Sequence, residues 1–111
     1  MSILQIDGKH IELDAEGFLV HLSDWSEAVA HHLARSEGLE LSAAHLEILY
    51  LLRQFHSQFQ LSPAMRPLVK YVAQELGKEK GSSMYLLSLF PGSPAKLASK
   101  LAGLPKPDNC L

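Results

Sequence analysis

A chain of 111 residues indicates one domain with its own core. Its apolar fraction of 47% excludes a disordered adaptor, and no apolar run approaches the roughly 20 residues of a membrane-spanning helix. Residues 1–50 carry nine acidic and two basic side chains, whereas residues 51–111 carry three acidic and eight basic ones, for a net charge of −2. The basic half could face an acidic protein or RNA, or the two halves could neutralise each other within the fold.

The N-terminus and the cysteine content indicate the compartment. The chain does not open with a basic region followed by an apolar stretch, as a secretory signal would. Its single cysteine has no partner for a disulfide, which fits a reducing environment. We therefore expect a soluble, cytoplasmic protein that does not associate with a membrane.

The first predicted element is a β-hairpin. Residues 3–6 and 9–13 flank Asp7-Gly8, a favoured two-residue turn because glycine accepts a positive φ angle. An isolated hairpin is only marginally stable in water. We therefore expect the apolar face of this hairpin to pack against helices.

Five helices are predicted after the hairpin, because capping and breaking residues recur along an apolar periodicity. The predicted starts are Asp24 with Glu27, Ser42, Ser62-Pro63, Gly81-Ser82-Ser83 and Ser93-Pro94. The predicted stops are Gly38, Gly77, Pro91-Gly92 and Gly103. Residues 42–77 could form a core that resembles a helix-turn-helix, but its second helix is mostly apolar, which disfavours reading of DNA bases.

Cys110 is the residue with the clearest chemical potential. It follows a Leu-Pro-Lys-Pro segment at residues 104–107, which we expect to be extended, at about 3 Å per residue, and free of fixed contacts. Cys110 could then reach on the order of 20 Å from Gly103. A thiolate on such an arm could collect a group from one protein and deliver it to another. The alternative is a cysteine without a role.

No other cluster predicts a catalytic or metal site. None of the six histidines has a cysteine or second histidine at metal-ligand spacing on one helical face. The sequence shows no hydrolase signature, and residues 77–81 lack the spacing of a phosphate-binding loop. We therefore predict neither a metal nor a cofactor. Arg53, Arg66 and Lys70 could bind an anion or pair with the N-terminal acids.

Several sequence blocks resemble the DsrC/TusE family of sulfur-trafficking proteins. The internal blocks are Gly17-Phe18-Leu19 with Trp25, residues 62–70, residues 77–81, and Tyr85-Leu86 with Leu89-Phe90-Pro91. The most specific block is Ala102-Gly103-Leu104-Pro105-Lys106-Pro107 followed by Cys110. The resemblance covers nearly the whole chain. It implies a small, mainly α-helical (α+β) domain with an N-terminal β-hairpin at residues 1–103 and a flexible C-terminal arm at residues 104–111.

The cysteine content distinguishes two branches of this family. In DsrC proper, two cysteines form a trisulfide or disulfide during dissimilatory sulfite reduction, and the upstream cysteine matches Ser99 here. Without a second thiol, the chain cannot close that bridge. TusE-like members keep only the last cysteine, accept persulfide sulfur from a TusBCD complex and pass it toward the MnmA thiouridylase, which thiolates the wobble uridine of certain tRNAs.

The resemblance therefore implies a sulfurtransferase in which Cys110 is the persulfide carrier. Lys106 and the two neighbouring prolines would aim the arm. The candidate contacts for the partner proteins, which could include an enzyme with bound tRNA, are Arg66, Lys70, Lys96 and Lys100.

Three alternatives stay open at the level of the sequence. A regulatory member of the family could bind DNA or a sulfur-sensing partner. A single-cysteine member could instead serve a sulfite reductase. A purely structural role would leave Cys110 without a function.

Overall fold

An N-terminal hairpin and five helices form the fold of the computed structural model, which describes residues 2–108. Strands β1 (Ser2–Ile6) and β2 (Lys9–Leu13) pair antiparallel across the predicted Asp7-Gly8 turn, where both residues have positive φ angles. Ile11 is buried, so the prediction that one face of the hairpin packs against helices is confirmed.

The helices follow the hairpin after a 3-10 turn at Leu22–Asp24. Their bounds are α1 Glu27–Ser36, α2 Ala43–Phe59, α3 Met65–Leu76, α4 Ser83–Leu89 and α5 Pro94–Leu101. The predicted fold class, mainly α with a small N-terminal hairpin, is confirmed. No helix within residues 2–108 is both long and apolar enough to span a bilayer.

Helices α2 and α5 lie at the centre of the core. Ile48, Leu49 and Leu52 of α2 are completely buried, as expected from the apolar stripe of that helix. Helix α5 packs against α1, α2, α3 and α4, and its Leu101 is completely buried. The segment that follows α5 therefore starts from the most constrained part of the molecule.

Two of the five predicted helix starts are wrong, while those at Ser42, Gly81-Ser82-Ser83 and Ser93-Pro94 are confirmed. Helix α1 is capped by Ser26, whose Oγ accepts from the amide of Val29, and Asp24 lies in the preceding 3-10 turn. Helix α3 begins at Met65 after Ala64, not at Ser62-Pro63. In both regions a polar residue that could cap a helix lies in a segment that precedes the helix: Asp24 in the 3-10 turn, and Ser62 in the loop before Ala64.

The C-terminal segment differs most from its sequence prediction. Residues 104–107, which we call the lead-in segment, were expected to be free of fixed contacts, but Leu104 and Pro107 are buried. The expectation of no fixed contacts is therefore wrong for the lead-in segment, because burial of its apolar side chains against the body of the protein is favourable. If these contacts persist, the reach of Cys110 starts at Pro107 and is about 10 Å rather than about 20 Å.

Candidate functional site

Cys110 itself lies outside the described residues, which end two positions earlier at Asp108. The part of the candidate site that the structure describes is the route to this cysteine: the end of α5, Gly103, the lead-in segment and the side chains that hold them. Of the flexible arm predicted for residues 104–111, the structure describes the contacts of residues 104–108.

Two side chains fix the C-terminal end of α5. The last carbonyl groups of a helix have no partner within the helix and need donors from elsewhere. The indole Nε1 of Trp25 donates to the carbonyl of Leu101 at 2.8 Å, and the guanidinium Nη1 of Arg53 donates to the carbonyl of Ala102 at 2.7 Å. Both donors come from other elements, so the point where the chain leaves α5 is set by tertiary structure.

Arg53 and Trp25 also contact each other. The guanidinium carbon of Arg53 lies 4.5 Å from the centroid of the Trp25 ring, within the range of a cation–π interaction. Burial lowers the pKa of Arg53, although a guanidinium remains charged at neutral pH. Its Nη2 reaches the carbonyl of Leu22 at 3.4 Å, which links the 3-10 turn to the same site.

A left-handed glycine redirects the chain after α5. Gly103 has a φ angle of +74°. The amide of Gly103 donates to the carbonyl of Lys100, and the amide of Leu104 donates to the carbonyl of Ser99. This pair of bonds is a Schellman motif. A Cβ atom at position 103 would lie 2.6 Å from Cδ1 of Trp25 and 2.8 Å from Cδ1 of Leu19. Glycine is therefore required by both the backbone angle and the space.

The lead-in segment is held at two further points. The hydroxyl of Ser62 donates to the carbonyl of Pro105 at 2.6 Å. The ammonium group of Lys106 lies 3.2 Å from a carboxylate oxygen of Glu16, in a pair that is about half exposed to solvent. The role predicted for Lys106, to aim the arm, remains a prediction, but the ion pair gives it a physical basis.

Ser99 lies directly behind this route and is completely buried. Its Oγ has no hydrogen-bond partner among residues 2–108. A buried hydroxyl without a partner is unfavourable, whereas a thiol at the same place would lose less on desolvation. The structure thus places Ser99 on α5 directly before this route, where its backbone carbonyl accepts from the amide of Leu104.

The four candidate docking cations fall into two groups. Arg66 and Lys70 are exposed on α3 and make no ion pair within residues 2–108. Lys96 and Lys100 lie on α5 beside a cleft of about 250 Å³. Lys100 is already 2.7 Å from a carboxylate oxygen of Glu37 and only 15% exposed, so it is the least available of the four.

Sequence reasoning missed the roles of Arg53, Trp25, Ser62 and Glu16. Arg53 was considered as an anion-binding residue, yet it binds backbone carbonyl groups. Its position within the apolar stripe of α2, between Leu52 and Phe55, is the one local signal that it is partly buried. The contacts of Ser62 and Glu16 join residues 43 and 90 positions apart, which no local pattern reveals.

The histidines show one structural role and no metal site within the described part of the chain. No group of three His, Cys, Asp or Glu side chains could hold a metal ion among residues 2–108. His45 is buried, where its Nδ1 accepts from the amide of Ser42 at 3.0 Å and its Nε2 donates to the carbonyl of Leu89 at 2.8 Å. This side chain closes a capping box on α2 and ties α2 to α4.

The sequence matches the family model described as "DsrC like protein" over residues 5–111. Among curated relatives, it is 53% identical over 108 residues to "Sulfurtransferase TusE" of Sodalis glossinidius, an alignment that covers 97% of this chain and all of the relative.

Solved structures agree with this match. The NMR structure of Allochromatium vinosum DsrC superposes with a TM-score of 0.90 at 47% identity, covering 98% of this chain and 97% of that one. The crystal structure of the oxidised gamma subunit of dissimilatory sulfite reductase (DsrC) from Archaeoglobus fulgidus gives a TM-score of 0.83 at 36% identity, covering 99% and 100%.

Proposed function

The chain belongs to the DsrC-like protein family, and we propose that it is a sulfurtransferase of the TusE type that carries persulfide sulfur on Cys110. The observation that carries this proposal is the placement of the single cysteine of the chain. It stands three residues beyond Pro107, the end of a lead-in segment that the body of the protein positions through specific contacts.

The proposed reaction is a thiol–persulfide exchange. The thiolate of Cys110 attacks the outer sulfur of a donor persulfide, R–S–SH, and forms a new sulfur–sulfur bond. The sulfur–sulfur bond of the donor breaks, and its inner sulfur leaves as the thiolate R–S⁻. The product is Cys110–S–SH, and an acceptor thiolate then takes the outer sulfur in the same way and regenerates the thiolate of Cys110. No net oxidation or reduction occurs.

The main requirement that these exchange steps place on the carrier is a thiol that both partners can reach. Neither exchange step requires a metal or a cofactor, because both the nucleophile and the leaving group are thiolates. A lone cysteine also avoids a competing reaction. With serine at position 99, the persulfide cannot be displaced by a second thiol of the same chain, so the sulfur is retained until an acceptor arrives.

The proposed partners are a TusBCD-type donor complex and an MnmA-type tRNA thiouridylase, which could carry bound tRNA during the transfer. Delivery to tRNA would take place in the cytoplasm. The exposed cations Arg66 and Lys70, together with Lys96, are the proposed docking contacts, whereas Lys100 is proposed to act mainly through its pair with Glu37.

Service to a sulfite reductase is the second candidate function. The similarity to DsrC structures favours it, at 47% identity to the Allochromatium vinosum protein and 36% to the gamma subunit of the Archaeoglobus fulgidus enzyme, against 53% for the TusE relative. Ser99 weighs against it, because the serine cannot form the two-cysteine bridge that the resemblance to DsrC implies. Nothing in residues 2–108 favours the regulatory, DNA-binding alternative.

The experiment that tests the proposed pathway replaces the chromosomal gene by a Cys110→Ser variant and measures 2-thiouridine in total tRNA by mass spectrometry. We expect near-complete loss of 2-thiouridine with normal protein abundance. The control is Ser88→Ala, an exposed serine on α4 away from the lead-in segment, which should leave the modification unchanged. Normal 2-thiouridine in the Cys110→Ser strain would refute the proposal.

A further inference from the structure

Two large apolar side chains are exposed at the C-terminal end of α2. Phe59 and Leu61 are each 53% exposed, on either side of Gln60. Gln60 ends α2 in the left-handed region, with a φ angle of +59°. Scattered single apolar side chains are normal on a surface, but a close pair at one end of a helix forms a patch.

The Phe59 ring of this patch rests on other aromatic side chains. The ring of Phe59 lies 4.6 Å from that of Phe55, and the ring of Phe55 lies 5.1 Å from that of Tyr71 in an edge contact. The exposed ring is thus supported from below by a row of aromatic side chains. A preordered apolar surface loses less conformational entropy when a partner covers it than a mobile one does.

Leu61, one of the two residues of the patch, and the lead-in segment border the same cleft. This cleft has a volume of about 190 Å³, and its walls are Gln60, Leu61, Ser62, Pro105, Lys106 and Asp108. Cys110 is two residues from Asp108, so its Cα cannot be more than about 7 Å from that of Asp108. Any protein that encloses the thiol of Cys110 therefore comes within about 7 Å of Asp108, which is one wall of this cleft.

The charge beside the patch indicates what kind of surface it meets. Arg66 lies in the first turn of α3, four residues after Ser62, and Lys70 lies one turn further on. Both are exposed and make no ion pair within residues 2–108. Such unpaired cations favour acidic side chains on the facing surface.

We propose that Phe59, Leu61 and the cleft beside the lead-in segment are the docking surface for the protein that loads sulfur onto Cys110, through an apolar face with an acidic rim. The donor fits better than the acceptor, because an enzyme that binds tRNA carries cationic side chains around its site, and these would repel Arg66 and Lys70. This inference rests on the proposed function and names the surface through which it operates. The patch supplies affinity, while Arg66 and Lys70 steer the encounter.

The test measures the rate at which Cys110 gains sulfur from a persulfide-loaded donor complex, as a function of donor concentration, by quenched intact-protein mass spectrometry. For the double variant Phe59→Ser, Leu61→Ser we expect the half-saturating donor concentration to rise about tenfold, with the maximal rate unchanged. The matched control is Met84→Ser, Leu87→Ser on α4, which are 83% and 43% exposed in the native chain. This control should stay within about twofold of the wild type.

A second variant keeps the test valid if loss of Phe59 disturbs the fold. Arg66→Glu with Lys70→Glu removes no buried contact, and we expect it to raise the half-saturating concentration most strongly at low ionic strength. Reaction of Cys110 with inorganic polysulfide, which needs no docking, should be the same in all variants. This readout separates loss of docking from loss of thiol reactivity.

Four results would overturn the docking surface while leaving the carrier function intact. The first is a half-saturating donor concentration that is unchanged in the Phe59/Leu61 variant, and the second is an equally large increase in the α4 control. The third is a defect only in sulfur transfer from Cys110 to the acceptor. The fourth is that the wild-type protein forms a dimer and the Phe59/Leu61 variant is a monomer. Failure of the wild-type protein to gain any sulfur from the donor would refute the carrier function as well.

Discussion

The geometry at Gly103 shows how one residue sets the course of the chain toward Cys110. A positive φ angle is required there for the chain to turn off α5, and the space that a side chain would occupy is filled by Trp25 and Leu19. Trp25 serves twice, since its indole nitrogen also holds the carbonyl of Leu101. The direction of the lead-in segment therefore depends on contacts with the hairpin side of the molecule as much as on its own prolines.

Substitution of Gly103 by alanine should lower the free energy of unfolding by more than the cost of placing alanine at a positive φ angle, because its Cβ would also clash with Trp25 and Leu19. Gly38 is the matched control, because its φ angle of +75° is almost the same but no atom lies within 4 Å of a Cβ there. We expect about 1–2 kcal/mol of destabilisation for Gly38→Ala and about 1–3 kcal/mol more for Gly103→Ala. Urea unfolding measures both, and equal losses would contradict the account.

At the scale of elements, Arg53 joins three parts of the fold that are far apart in the sequence. Its guanidinium, on α2, binds the carbonyl groups of Ala102 after α5 and of Leu22 in the 3-10 turn, and it lies over the ring of Trp25. A lysine has one ammonium group and cannot make this set of contacts in a plane. The end of α5 is thereby fastened to the central helix.

Replacement of Arg53 by methionine should destabilise the protein by about 2–3 kcal/mol, because charge-assisted hydrogen bonds and the cation–π contact are lost together. Arg53→Lys should give an intermediate loss. Arg66→Met is the control, since Arg66 is exposed and unpaired within residues 2–108, and its change should stay within about 0.5 kcal/mol. A denaturant midpoint for Arg53→Met equal to that of Arg66→Met would show that these contacts carry no net stability.

The elements that the sequence predicted well are those with local causes. The Asp7-Gly8 turn, the cap at Ser42 and the stop at Gly77 all depend on residues within one turn of the chain. Ser62 suits a helix start equally well by local rules, but its hydroxyl binds the carbonyl of Pro105. The contacts of the lead-in segment were missed for the same reason: each is made by a residue far away in the sequence.

For the whole molecule, the charge asymmetry of the sequence is partly neutralised by ion pairs among residues 2–108. Three ion pairs, Lys80 with Glu47, Lys100 with Glu37 and Lys106 with Glu16, each join a base of the second half to an acid of the first. Exposed pairs of this kind contribute little stability individually. Their effect is to leave a smaller set of unpaired cations, among which Arg66 and Lys70 lie near the proposed docking surface.

The measurement that tests the central claim most directly is intact-protein mass spectrometry without reductant, after incubation with a cysteine desulfurase and TusA-type and TusBCD-type relay proteins. The account predicts that the wild-type chain gains one sulfur atom and that the Cys110→Ser variant gains none. Absence of added sulfur on a folded wild-type protein, while the relay itself is active, would contradict the claim that Cys110 is a persulfide carrier.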